Sequence, residues 1–107
     1  MLGLMDELIE QVWSRATSVE SRNPDIWRKD FAGAWIRKDS YGLHTQYGWE
    51  VDLLKPLSSG GTSDEANLIA LHWQNNNTKG ADYPIFNTSI TSEGDRNIKK
   101  LKKWKIR

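Results

Sequence analysis

The chain has no cysteine, so disulfide frameworks and cysteine-built zinc knuckles are excluded. No apolar run approaches the ~20 residues that a membrane-spanning helix needs. The first ten residues carry Asp6, Glu7 and Glu10 and no base, the reverse of the charge that opens a secretory signal. The expectation is a cytoplasmic protein with no membrane partner. Proline is scarce, at three residues, and Pro24, Pro56 and Pro84 stand apart as punctuation rather than as a linker. No internal repeat is visible. Hydrophobic residues at 37% and charged residues at 27% fit a globular chain and not a disordered one. A length of 107 residues implies one domain with one modest core. Tryptophan is abundant, at six. Most of these large rings are expected to fill that core.

The net charge of +1 hides an uneven distribution. Arg96, Lys99, Lys100, Lys102, Lys103, Lys105 and Arg107 crowd the end of the chain, after the single acid Asp95. Such a segment fits an anionic partner, or equally a solvated tail.

Leu4, Met5, Leu8, Ile9, Val12, Trp13 and Ala16 recur at helical spacing and predict an amphipathic helix of about four turns. "RNPDIW" (22 to 27) carries a helix-start signal, with Asn23 as cap, Pro24 at the first helical position and Asp25 at the positive end of the dipole. A second, short helix ending near Gly33 is expected. "AWIRK" (34 to 38) reads as a strand and "DSYG" (39 to 42) as a turn. In "YGWEVDLLKP", Trp49, Val51 and Leu53 alternate with Glu50 and Asp52, so the two acids share a strand face. Pro56 ends that strand. A turn-rich loop, "LSSGGTSDE" (57 to 65), leads to a returning strand, "NLIAL" (67 to 71). "HWQNNNTKG" (72 to 80) follows as a short helix ending at Gly80.

This strand–loop–strand–helix order could aim Asp52 and one asparagine of the helix at one point. A carboxylate and an amide oxygen suit a hard cation such as Mg²⁺. Asparagine clusters also serve simply as turns and caps.

The motifs "YGWEVD", "GG", "NL", "LHW", "NN" and "KG" together resemble the HNH endonuclease family over residues 28 to 84. In that family the core reads Asp-His, a Gly-rich loop, Asn-Leu, then a helix with Asn or His and a trailing Lys-Gly. Position 53 lies fourteen residues before Asn67, and Asn67 nine before Asn76, separations that match HNH nucleases. The resemblance implies an α+β fold: a small single domain with N-terminal helices (1 to 32), a ββα-metal core (33 to 84) and a basic C-terminal segment (85 to 107).

The resemblance also implies roles. Asp52 and Asn76 are the metal ligands, for Mg²⁺ with Mn²⁺ or Zn²⁺ as alternatives. Asn67 pins the loop and orients the catalytic histidine. Lys79 contacts phosphate, and His72 is structural or a phosphate contact. Charge, rather than the resemblance, adds Lys55, Arg37 and Lys38 as nucleic-acid contacts. The implied activity is metal-dependent phosphodiester hydrolysis on nucleic acid, DNA first. The departure falls at Leu53, where the family places its general-base histidine. Leucine cannot accept a proton, and losing a general base lowers a rate by about 10²- to 10⁴-fold. His44 is the candidate replacement base. The alternative is a non-catalytic nucleic-acid-binding or protein-interaction module on the same frame.

Overall fold

The computed structural model describes residues 3–107; Met1 and Leu2, at the start of the expected helical part, lie outside the described residues. Helix α1 (Leu4–Arg15) forms where the apolar spacing predicts it. Asp6 and Glu7 lie in its first turn and Arg15 in its last, each at the end of the dipole that favours its charge. Val12 and Trp13 are buried, while Leu4 and Met5 stay exposed.

The second helix expected after Asn23 does not form, so the N-terminal part holds one helix rather than several. Trp27–Lys29 is instead strand β1, antiparallel to β2 (Trp35–Arg37). Asn23 caps a single turn: its side chain accepts from Asp25 N at 2.9 Å and its carbonyl from Ile26 N and Trp27 N. The same residues that start helices also make turns. Here the extended pairing of Lys29 with Thr17 on one side and Trp35 on the other takes the following residues out of any helix.

Strand β3 (Trp49–Leu53) pairs antiparallel with β4 (Leu68–His72), with Asp52 opposite Ile69 and Leu53 opposite Leu68. Helix α2 (Trp73–Lys79) follows without a break. Val12, Trp13, Ile36, Trp49, Leu68 and Ala70 form the core, and Leu8, Ile9, Val51 and Leu53 pack against it. Trp49 is fully buried, its ring 5.3 Å from Trp13 and its indole N–H bonded to Arg37 O. Trp35 is the third buried tryptophan; Trp27, Trp73 and Trp104 are half-buried.

The C-terminal segment is neither frayed nor irregular. β5 (Ile85–Glu93) and β6 (Arg96–Lys105) form a long antiparallel hairpin with a bulge between Thr88 and Ile90. Its inner face carries Phe86 and Trp104, both packed on Phe31. The architecture is mixed α+β: among the described residues, two helices and three separate two-stranded antiparallel sheets. No helix among the described residues is long and apolar enough to cross a membrane.

Candidate functional site

The loop from β3 to β4 is folded tightly on itself. Gly60 has φ +88°, a left-handed value that glycine adopts without strain. At Gly61 a Cβ would stand 1.7 Å from the Lys55 carbonyl oxygen, so no other residue fits. Asn67 locks this loop. Its Oδ1 accepts from Lys55 N at 2.8 Å, and its amide donates to Lys55 O and Thr62 O. Every polar atom of that side chain is used to hold backbone.

Alternation along β3 sends Trp49, Val51 and Leu53 toward α1 and the core, and Glu50 and Asp52 to the other face. On that face Asn76 donates from Nδ2 to Glu50 Oε1 at 3.1 Å. Lys79 reaches back from the last turn of α2 with its side chain fully buried. Its ammonium lies 3.3 Å from Asp52 Oδ2, 3.3 Å from Leu53 O and 5.1 Å from the Phe86 ring centre. Asp52 Oδ2 is itself buried, and the ammonium lies in ion-pair range but outside hydrogen-bonding geometry. Oδ2 therefore has the Lys79 ammonium as its counter-charge, in poor hydrogen-bonding geometry. Burial pushes the Asp52 carboxyl above its ordinary value, Lys79 pulls it back and Glu50 pushes it further up.

This face carries oxygen atoms of the kind a hard divalent cation takes, but the Lys79 ammonium already stands 3.3 Å from Asp52 Oδ2 as its counter-charge. The oxygens belong to the Asp52 carboxylate, with one oxygen short of donors, and the Asn76 amide, with Glu50 beside them. Among the described residues no three His, Asp or Glu side chains gather into a richer ligand set. Two surface hollows of about 330 Å³ exist, and none of Asp52, Asn67 and Asn76 lines either.

The remaining expected contacts lie in different settings. His72 is buried, its Nε2–H donating to Gln46 O at 2.8 Å and its Nδ1 accepting from Gln74 N, which caps α2. It has no free nitrogen for a phosphate, and neither His72 nor Lys79 reaches the surface. Arg37 is paired with Asp39 at 2.8 Å and Lys38 with Glu10 at 3.0 Å. Lys55 lies over the Tyr83 ring. His44 is exposed, its ring stacked at 4.6 Å on Trp73, whose indole N–H donates to Thr45 O.

Burial lowers the His72 pKa below its ordinary 6.5, against smaller upward pulls from Gln46 and Asp30. The folded state thus resists a proton that the unfolded chain accepts. The stability this contributes is complete above about pH 6.5 and is lost as pH falls through the depressed folded value. Urea midpoints for the protein and for His72→Gln are expected to converge as pH drops from about 7.5 to about 5.5.

Sequence reasoning missed Asp30. It is buried and accepts four hydrogen bonds: from Ala32 N and Ala34 N on Oδ1, and from His72 N and Asn75 Nδ2 on Oδ2. Asn75 passes the network on, accepting from Ser89 N and Ile90 N and donating to Ile90 O. The detectable signal was "DFAG", an acid three residues before a glycine with φ +88°, which is a turn signature.

No family model, no curated protein and no solved structure matches the chain.

Proposed function

We propose that the chain is an HNH-type domain of the ββα-metal class that binds nucleic acid, with phosphodiester hydrolysis impaired at Leu53. The observation carrying this reading is the β3–β4–α2 unit. It gathers Asp52, Asn76 and Lys79 on one side of a hairpin whose loop is locked by Asn67. The motif order that suggested the family thus coincides with one compact structural unit. A divalent ion held by Asp52 and Asn76 would supply positive charge for the phosphate and the leaving oxygen. Asn67 holds the loop backbone next to Asp52. Leu53, packed on the apolar side of β3, offers no group to accept a proton from water.

Two observations favour a fully non-catalytic version of the same module. The side chain at position 53 belongs to the core rather than to the acidic face. Asp52 also already has a fixed counter-ion in Lys79.

Plasmid nicking with Mg²⁺ or Mn²⁺, run beside duplex binding, tests the proposal. The unmodified chain is expected near background, and Leu53→His at least ~100-fold above it. Should Leu53→His fold and bind DNA yet stay inert, the nuclease half fails and the binding module stands. If the unmodified chain cleaves at a normal rate and Asp52→Ala does not reduce it, the site is wrong.

A further inference from the structure

The charge of the molecule is divided at a structural boundary. Residues 85–107 hold seven basic and two acidic side chains, a net of +5, while residues 1–84 hold eight and twelve, a net of −4. The basic part is the β5–β6 hairpin. Register fixes its faces: Phe86 opposite Trp104 and Thr88 opposite Lys102 point inward, with Phe86 and Thr88 buried. Ile85 opposite Lys105 and Asn87 opposite Lys103 point outward and are exposed. Lys99 and Lys100 are exposed beside the bulge, and Leu101 next to them is 70% exposed. One of the two hairpin acids, Asp95, is drawn away by Arg22. Among the described residues no base of β6 has an acidic partner within ion-pair distance.

We propose that the outer face of this hairpin docks the phosphate backbone of duplex DNA and supplies most of the affinity. The proposal rests on the nucleic-acid reading above and adds where binding resides. The basic residues near the β3–β4–α2 unit are poorly placed to supply it. Lys79 is buried on Asp52, Arg37 and Lys38 are paired with acidic neighbours, and Lys55 stands alone over the Tyr83 ring. On β6, by contrast, Lys103 and Lys105 stand ~6.8 Å apart on the outward face, and Lys99, opposite Ile90, is exposed beside the bulge, with no acid across from any of them. Lysines on an edge strand also deter edge-to-edge pairing, but either sign of charge does that. A run of one sign, with the opposite sign collected on the rest of the molecule, is what orients a protein toward a polyanion. Such contacts read no sequence.

The test is fluorescence anisotropy with a labelled mixed-sequence duplex of about 20 base pairs at several salt concentrations. Four engaged lysines give a slope of log affinity against log salt near −3.6, or about a 100-fold loss between 50 and 200 mM. The variant Lys99→Gln/Lys103→Gln/Lys105→Gln, with an unchanged melting curve, is expected to bind more than ~30-fold more weakly at low salt, with the slope reduced to about −1. Arg37→Gln/Lys55→Gln serves as the opposing arm. If the affinity loss follows that variant and the hairpin variant binds normally, the hairpin assignment is overturned and the proposed function stands. If the unmodified chain does not bind duplex at low salt, both fall.

Discussion

Asp30→Ala is expected to lose about 4 kcal/mol or more of stability, because it strips four buried donors of their acceptor at about 1–3 kcal/mol each. Against a total of about 5–15 kcal/mol for a typical domain, much of the folded population disappears. The reason is position. Asp30 joins the turn between β1 and β2, through Ala32 N and Ala34 N, to the β4–α2 junction, through His72 N and Asn75. Asn75 carries the link to β5. Two polar side chains thus help to tie three sheets, alongside Asn97, which bonds both Trp35 N and Trp35 O. Burial pushes the Asp30 carboxyl up, and its four hydrogen-bond donors push it back. Asp30→Asn keeps the shape but presents an NH₂ where an acceptor is needed, and a smaller loss is expected. Urea unfolding followed by tryptophan fluorescence and near-ultraviolet circular dichroism reads both. An Asp30→Ala protein within ~1 kcal/mol of the parent would remove Asp30 from this role.

The parts of this fold visible in the sequence are those set by period. Helix α1 shows a 3.6-residue stripe, β3 alternates strictly, and α2 lies between a strand and a glycine. What stayed hidden had other causes. The signal at Asn23–Asp25 is common to helix starts and turns, and tertiary pairing chose the turn. The β5–β6 hairpin was masked because its inward positions include Thr88 and Thr91, and a bulge breaks its alternation. Its lysines read as tail rather than strand. At the site, the spacing of Asp52, Asn67 and Asn76 was legible. The direction of Lys79 was not: a lysine at a helix end normally extends to solvent, and its burial here is decided by Phe86 and Asp52, from two other strands.

That burial makes Lys79→Met the second large effect. Removing one partner of a buried pair leaves an uncompensated charge and is expected to lose about 3–5 kcal/mol. Methionine keeps most of the stem's volume, so the loss reports charge more than packing. Lys79→Met/Asp52→Asn removes both charges and is expected to recover much of the loss. Acid separates the variants too. With Lys79 gone, the Asp52 carboxyl, already raised by burial, rises further. A raised folded value means that stability returns as pH falls through it, so Lys79→Met regains stability on acidification more steeply than the parent or the double variant. The same substitution frees the carboxylate for a divalent cation. Millimolar Mg²⁺ is then expected to raise the melting temperature of Lys79→Met more than that of the parent, since a ligand that binds only the folded state stabilises it by mass action. Equal destabilisation of the single and double variants, with no acid recovery and no Mg²⁺ effect, would mean that Lys79 acts through the packing of its stem on Phe86 and not through Asp52.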